Sequence, residues 1–308
     1  MSNIRLFDGH CDTSFMLWYQ KQPLLRNTCH VDLVKASAFH AYAQVFAFCS
    51  YAGMTELMPC TQEEYLTLPL QILREEVKKN NDRIAFASDA SQISALNSLG
   101  KIAALLSIEG PEVIDCDPEC LLQLREQGFC MSTLTWNADN ALAGCHSSDR
   151  GLTDRGRAYF KAAQELDILI DVSHLSESAF WDLTELTTRP ILASHSNCRA
   201  LCDNSRNLKD DQLKAIAQTG GTVGLNLYQP FLGDNADFGT LREHLEHMLT
   251  VCGEAHVALG GDLDGCDILP QGFHDLTDYT KFYAYLKDNG YAEKLLNCIF
   301  YDNLYRLF

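Results

Sequence analysis

The stretch DILIDVSHLSESAFWDLTEL, residues 167–186, shows the repeating unit from which the fold is built. Its first part, residues 167–174, contains a short apolar run of the length of a buried strand. The segment that follows, residues 176–187, has apolar residues at the spacing of an amphipathic helix. The stretch therefore predicts a β-strand followed by an α-helix, with His174 where the strand ends.

The same alternation of apolar run and amphipathic segment extends over the whole chain. Eight runs predict buried strands, and they lie at residues 4–10, 42–49, 101–110, 128–136, 167–174, 190–196, 221–228 and 256–265. Helical patterns lie near residues 62–80, 89–98 after Ser88 as N-cap, 117–127, 154–166 after Thr153 as N-cap, 176–187, 209–218, 238–252, 277–288 and 291–306.

Eight strands with intervening helices predict a (β/α)8 TIM barrel, in which all strands are parallel. The chain contains no Gly/Ser-rich or Pro-rich linker, so we expect a single barrel domain over residues 1–308. The longer connections, residues 11–41 and 50–61, are where we expect additional structure that faces a substrate.

Charge and composition narrow the class of partner. The net charge of −17 argues against nucleic acid, because nucleic-acid binding requires a basic face that neutralises phosphates. The first residues lack the apolar stretch of a secretory signal, and no window reaches the roughly 20 apolar residues of a membrane-spanning helix. We therefore expect a cytoplasmic protein with a small-molecule or peptide partner and no membrane partner; a homodimer stays open.

The thirteen cysteines predict reduced thiols rather than a disulfide framework. Their number is odd, they are scattered, and Cys49 and Cys130 lie inside apolar runs. The sequence has no CxxC pair, which argues against a zinc ribbon or a thioredoxin-type redox site.

Polar residues of the metal-ligand type follow five of the eight predicted strands. In a TIM barrel the residues that do chemistry lie at the carboxyl ends of the strands, so these side chains should meet at one mouth. They are His10 and Asp12 after the first strand, Glu109 after the third, His174 after the fifth, His195 after the sixth, and Asp262 and Asp264 after the eighth.

Three imidazoles and at least two carboxylates suit borderline divalent ions such as Zn²⁺, and they exceed what one tetrahedral ion needs. Two ions with a bridging carboxylate, roughly 3.5–4 Å apart, can hold a hydroxide nucleophile and polarise a carbonyl. Each residue alone has a simpler explanation: Glu109 could cap the next segment, and Asp264-Gly265 is a common turn pair. Their joint placement in apolar runs favours the metal site, since burial without partners would be costly.

The remaining histidines give weaker signals. His244 and His247 lie three residues apart on a predicted helix among glutamates, a pattern typical of a solvated face. His146 lies in the loop after the fourth strand, from which it could reach the mouth of the barrel.

Seven motifs in order resemble the membrane dipeptidase (renal dipeptidase) family of metallopeptidases, peptidase family M19, whose relatives are amidohydrolase barrels. They are DGHCDT, SIEG, LTWNADNALAG, GLTDRGR, DVSHLSE, ASHSNCRALCDNSRNLKDDQL and LGGDLDG. The resemblance covers nearly the whole chain.

The resemblance implies a role for each matched residue. His10 and Asp12 would bind one zinc ion, His174 and His195 the other, and Glu109 would bridge both ions. Asp262 matches the family's catalytic acid/base, and Arg206 matches the residue that holds the terminal carboxylate of the substrate, a task for a planar guanidinium.

The sequence departs from the family in two respects. Mammalian members carry a histidine that helps to bind the substrate where this chain has Trp136, and an indole N–H donates a hydrogen bond but cannot exchange a proton. Trp136 therefore leaves transition-state stabilisation and substrate choice open. Cell-surface members also add a signal peptide and a lipid-anchor signal, whereas this sequence stops at NLYRLF, which predicts a soluble, intracellular version.

We expect a zinc-dependent dipeptidase that cleaves the peptide bond of dipeptides, including those with a C-terminal D-residue, by means of a bridging hydroxide. Trp136 keeps open another binuclear-zinc amidohydrolase that acts on an N-acyl amino acid or a lactone. A metal-binding protein without turnover is a further alternative, which the complete ligand set disfavours. Asp8 has no role in this scheme, and we expect it to orient a ligand imidazole.

Overall fold

The computed structural model describes residues 3–49 and 60–308, and a closed parallel β-barrel lies at its centre. The bounds of the strands are β1 Arg5–Cys11, β2 Ala41–Cys49, β3 Ile84–Phe86, β4 Ile102–Glu109, β5 Phe129–Thr133, β6 Leu169–Asp171, β7 Leu192–Ala193, β8 Thr222–Leu225 and β9 Val257–Leu259. Each of the eight predicted runs overlaps one of these strands, and six of the eight strands are shorter than predicted.

The barrel closes because β2 pairs with both β1 and β4, and β1 also pairs with β9. The closed ring consists of β1, β2 and β4 to β9, so the prediction of an eight-stranded TIM barrel is confirmed. The sequence pattern does not predict β3, whose three residues pair with the first half of β4 on the edge opposite β2. Three residues are too short a run to be recognised as a strand from the sequence.

Helices surround the barrel. Their bounds are α1 Thr13–Gln20, α2 Leu33–Ala36, α3 Gln62–Lys79, α4 Ala90–Ser98, α5 Leu121–Glu126, α6 Asp154–Glu165, α7 Glu177–Leu186, α8 Asp210–Gln218, α9 Phe238–Cys252, α10 Tyr279–Asp288, α11 Glu293–Asn297 and α12 Asn303–Tyr305. Helices α3 to α12 lie within the predicted helical runs, whereas the sequence pattern does not predict α1 and α2. A π-helical turn, Cys298–Asp302, joins α11 to α12. The first of the two long connections carries α1 and α2; the second, residues 50–61, lies mostly outside the described residues.

Two predicted helix starts can be compared with the structure. Thr153 caps α6 as predicted, since its hydroxyl accepts a hydrogen bond from the Gly156 N–H at 3.0 Å. The prediction of Ser88 as a cap is wrong: Asp89 caps α4, because its carboxylate accepts from the Gln92 N–H at 2.9 Å. Both residues are good caps, and a shift by one residue decides between them.

The alternation of side chains along the strands places the site residues. Ala43 and Val45 of β2 form one buried cluster with Ala103 and Leu105 of β4, whereas Phe46, Ala104 and Leu106 belong to a second cluster. Because side chains alternate along a strand, Glu109 shares its face with Ala103 and Leu105. The last residue of β4 is therefore directed into the mouth of the barrel.

All thirteen cysteines are free thiols, and nine of them are buried. Across residues 3–49 and 60–308, we find no helix with the length and apolar character that crossing a bilayer requires.

Candidate metal centre

Two histidines and one glutamate, from the carboxyl ends of three strands of the same sheet, meet at the mouth of the barrel. Glu109 ends β4, His174 follows β6 and His195 follows β7. Glu109 Oε1 lies 3.0 Å from His174 Nε2 and 3.4 Å from His195 Nε2, and the two imidazole nitrogens are 2.9 Å apart. All three groups are buried, so their ligand atoms converge on one small enclosed space.

A second set of groups lies on the other side of Glu109, around His10 of β1. His10 Nε2 lies 3.6 Å from Glu109 Oε2, 3.8 Å from Asp12 Oδ2 and 3.9 Å from Asp262 Oδ1. The shortest contacts of the two Glu109 oxygens therefore differ: Oε1 approaches His174 and His195, and Oε2 approaches His10. The two groups adjoin, since the ligand atoms of His10, Glu109 and His195 all lie within 4.8 Å of one another.

The negative charges of the carboxylates in this site require compensation by positive charge. Burial lowers the pKa of the His10 imidazole, but the carboxylates of Glu109, Asp12 and Asp262 outweigh burial and raise this pKa to about 10. Burial also raises the pKa of Glu109 to about 8 and that of Asp262 to about 6. Three carboxylates thus lie in a poorly solvated space where their charges are costly without a cation.

The unpartnered atoms of the site show that a metal ion fits. Among the described residues, both ring nitrogens of His10 and Oδ1 of Asp12 are buried and have no hydrogen-bond partner. Burial lowers the pKa of His174 and His195 well below the usual range, which favours the neutral imidazole that binds metals. Imidazole nitrogens and carboxylate oxygens are the donors that divalent transition metals prefer.

Two hydrogen-bond partners fix the rings of His174 and His195. His174 Nδ1 lies 2.8 Å from Asn137 Oδ1. His195 Nδ1 lies 2.6 Å from Ser194 Oγ, which is hydrogen-bonded to the buried Asp171 carboxylate. The other ring nitrogen of each histidine is thereby directed towards Glu109, as in proteins where outer groups orient a metal-binding imidazole.

Asp262 and Asp264 lie in the loop after β9 with left-handed backbone conformations, φ 56° and 70°, and His174 has φ 67°. Such conformations are rare for residues other than glycine and cluster at functional sites. Asp264 accepts hydrogen bonds from the Thr13 hydroxyl at 2.5 Å and from the His30 N–H at 2.5 Å. It therefore fastens the loop after β1 to the loop after β9 instead of joining the ligand cluster.

Asp8 does not contact a ligand imidazole, so the expectation for this residue is wrong. Its carboxylate accepts hydrogen bonds from the main-chain N–H groups of His10 at 3.0 Å and Gly261 at 3.1 Å. It also accepts from the Tyr279 hydroxyl at 2.7 Å. Asp8 thus stabilises the backbone where β1 and β9 close the barrel, below the metal cluster.

A sequence profile of the membrane dipeptidase family, peptidase family M19, matches residues 1–308. The chain belongs to this family. An uncharacterised dipeptidase of Schizosaccharomyces pombe is 31% identical over 301 residues, which cover 89% of this chain and 72% of that protein.

Two solved structures extend the likeness to the fold. A metallopeptidase from Rhodobacter sphaeroides, bound to a phosphinate mimic of the dipeptide L-Ala-D-Ala, is 25% identical, with a TM-score of 0.90 and 99% of both chains covered. A family M19 dipeptidase is 26% identical, with a TM-score of 0.90 and 99% and 98% of the two chains covered. The chain is therefore a hydrolase of the M19 dipeptidase class.

In this M19 dipeptidase, Arg206 is buried beside the metal cluster. One of its terminal nitrogens donates to the His195 carbonyl oxygen at 3.4 Å, and its guanidinium carbon lies 5.3 Å from the centre of the Phe231 ring. Burial lowers the pKa of Arg206, while the carboxylates of Asp262 and Glu109 support its charged form. The family resemblance implied that this arginine belongs to the site, and in the structure it contacts the main chain of His195.

Two further side chains lie beside His174. The rings of Trp136 and His146 each have their centres 6.3 Å from the centre of the His174 ring. His146 Nδ1 lies 2.7 Å from Ser205 Oγ, and burial, with Arg206 and Arg199 nearby, lowers the pKa of His146 to about 4. The loop after the fourth predicted strand, in which the sequence assigned no role to His146, thus brings this residue next to His174.

His244 differs from the prediction of a solvated face. It is buried, its Nδ1 accepts from the Cys198 N–H at 3.2 Å, and its Nε2 lies 3.4 Å from the Leu232 carbonyl oxygen. His247, three residues later, is half-buried and pairs with Asp210 at 2.7 Å. The sequence also gave no indication of Asn137, Asp171 and Ser194 as partners of the ligand histidines, because ordinary polar residues near strand ends have many explanations.

A substitution at Gly265 tests the positions of the Asp12 and Asp262 carboxylates. A Cβ at this position would overlap Asp12 Oδ2 and Asp262 Oδ1, so Gly265→Ala must displace both carboxylates. We expect lower metal content after dialysis against a buffered metal solution and a loss of turnover of about 100-fold or more, since small misplacements of catalytic groups have effects of this size.

Gly100→Ala is the matched control, because a Cβ there meets no atom within 4 Å. The positive φ of 69° at this position should lower the stability of the variant but leave its metal content unchanged. Normal metal content and turnover in Gly265→Ala would contradict the placement of Asp12 and Asp262.

Proposed function

We propose that this chain is a zinc-dependent dipeptidase with two ions per chain. His10 and Asp12 would hold one ion, His174 and His195 the other, and Glu109 would bridge them. The observation that carries the proposal is the division of the Glu109 carboxylate between two ligand sets, Oε1 facing His174 and His195 and Oε2 facing His10. Bound divalent ions would supply Lewis acidity that polarises the scissile carbonyl and activates a hydroxide nucleophile.

Asp262 is the proposed proton carrier. Its Oδ1 lies 3.9 Å from His10 Nε2, and its Oδ2 accepts a hydrogen bond from the Asn226 side chain at 3.3 Å. The carboxylate is therefore close to the ligands and held in a fixed orientation by a group that is not a ligand. In that position it can accept a proton from the attacking water and deliver it to the leaving amino group.

Arg206 is the proposed partner of the substrate's terminal carboxylate. Its guanidinium is buried beside His195 and stacked on Phe231, so little side-chain entropy is lost when it binds. A planar guanidinium can form two parallel hydrogen bonds to a carboxylate. Trp136, whose ring centre lies 6.3 Å from that of His174, would form a wall of the substrate site.

The class of substrate follows from the spacing of these groups. A dipeptide places its free carboxylate one residue beyond the scissile bond, so Arg206 next to the cluster selects short substrates. The mimic of L-Ala-D-Ala bound by the Rhodobacter sphaeroides relative supports the inclusion of dipeptides with a C-terminal D-residue. The thirteen free cysteines support a reducing compartment such as the cytoplasm.

The role of Asp262 can be tested with Asp262→Asn, which keeps the shape of the side chain but removes its basicity. We expect kcat on L,L and L,D dipeptides to fall by about 10² to 10⁴ while metal content stays the same. Asp267→Asn, which changes an exposed residue of the same loop, is the control and should keep full activity. A zinc-loaded wild-type protein that leaves a broad dipeptide panel uncut would contradict the proposed function.

The role of Arg206 can be tested by pairing each dipeptide with its C-terminal amide. The wild type should prefer the free acid, and Arg206→Ala should lose this preference, because the amide offers no charge to the guanidinium. We expect kcat/KM for the free acid to fall by about 100-fold or more, since a buried charge-assisted pair is removed. Arg26→Ala, at an exposed position, is the control. An undiminished preference for the free acid in Arg206→Ala would show that another group binds the carboxylate.

A further inference from the structure

A cavity of about 240 Å³ lies beside the metal cluster, between the loop after β5 and the loop after β7. His174 and Arg206 belong to its wall, so it opens directly onto the proposed substrate site. Apolar residues contribute little to it: they are Val172, Leu175 and Leu208. Most of the wall is polar, which is unusual for a pocket that receives an aliphatic side chain.

The enclosed charged residues of the cavity wall are basic, whereas the protein as a whole is acidic. The chain has 41 acidic and 24 basic residues, yet Arg199 and Arg206 both line the cavity. Of the acidic residues in the wall, Glu177 is paired with Lys209 at 2.7 Å, and Asp149 is exposed. The enclosed part of the cavity is therefore positive.

One polar atom in this wall lacks a partner. Ser196 is fully buried, its hydroxyl has no hydrogen-bond partner among the described residues, and it lines the cavity next to Arg206 and Arg199. A buried hydroxyl without a partner costs free energy, and a ligand atom in the cavity would satisfy it. This observation is independent of the charges and indicates a ligand with hydrogen-bond acceptors.

The wall is also held in place before any ligand binds. Arg199 donates to the carbonyl oxygens of Asn204 at 3.2 Å and Ser205 at 2.7 Å, and the Ser205 hydroxyl lies 2.7 Å from His146 Nδ1. These contacts join the two loops across the cavity. Donor groups fixed in this way lose little entropy when they bind a ligand.

We propose that this cavity receives the side chain of the substrate's C-terminal residue and that it selects an acidic side chain. The proposal rests on the proposed function, in which Arg206 holds the C-terminal carboxylate. The side chain of that same residue branches off next to Arg206, and the cavity with Arg199, His146 and Ser196 begins there. A second carboxylate in this position meets the positive charge of Arg199 and the unpartnered Ser196 hydroxyl.

Matched pairs of dipeptides test this preference: Ala-Asp with Ala-Asn and Ala-Glu with Ala-Gln, each with an L or a D C-terminal residue, and Ala-Ala as reference. The acid and the amide have nearly the same shape, so their kcat/KM ratio reports charge recognition. We expect the wild type to favour the acid by about tenfold or more in at least one configuration, the difference between charged and neutral hydrogen bonds.

Arg199→Gln should reduce this ratio to about one, and Lys161→Gln, on the exposed side of α6, should leave it unchanged. Because Arg199 also binds two main-chain carbonyl groups, Ser196→Ala is a second variant, and it should reduce the ratio without loss of thermal stability.

The outcomes separate this inference from the proposed function. If the wild type cleaves Ala-Ala but treats acids and amides alike, or if the preference survives in both variants, the acidic specificity is wrong and the dipeptidase assignment stands. If no dipeptide of either configuration is cleaved by the metal-loaded protein, both are wrong.

Discussion

The Glu109 carboxylate lies buried among three imidazoles, 3.0 Å from His174 Nε2, 3.4 Å from His195 Nε2 and 3.6 Å from His10 Nε2. Two further carboxylates, of Asp12 and Asp262, approach the same space. Charges of one sign cannot be concentrated away from water without compensation. A metal ion at the mouth of the barrel would supply the required positive charge. It would also provide a partner for the buried, unpartnered atoms of His10 and Asp12.

The barrel supplies the rigid frame for these groups. Alternation along β4 places Glu109 on the inner face, and the carboxyl ends of β1, β6, β7 and β9 bring the remaining side chains to it. The strained loops are fastened at several points: Asp8 holds the junction of β1 and β9, and Asp264 joins the loops that carry Asp12 and Asp262. Rigid support of this kind is what keeps a catalytic constellation in its productive geometry.

The eight barrel strands and the ligand cluster could be predicted from the sequence because both rest on strong signals. Buried parallel strands are continuous apolar runs. A single histidine or acid at the end of such a run has simpler explanations, but their joint occurrence after five of the eight runs indicates a shared site. Weaker signals failed for physical reasons. The three residues of β3 are too few for a pattern, and Ser88 and Asp89 are equally good caps. A buried His244 that binds a main-chain N–H cannot be distinguished in sequence from a solvated one. Asp8 accepts a hydrogen bond from Tyr279, which lies 271 positions away in the sequence, so its role could not be predicted from its neighbours in the chain.

We propose that two metal ions share Glu109, and anomalous diffraction from crystals of the zinc-loaded protein would test this proposal. We expect two peaks at the zinc edge, roughly 3.5–4 Å apart, one contacted by His10 and Asp12 and the other by His174 and His195, with Glu109 between them. A single peak, or peaks that do not contact Glu109, would contradict it.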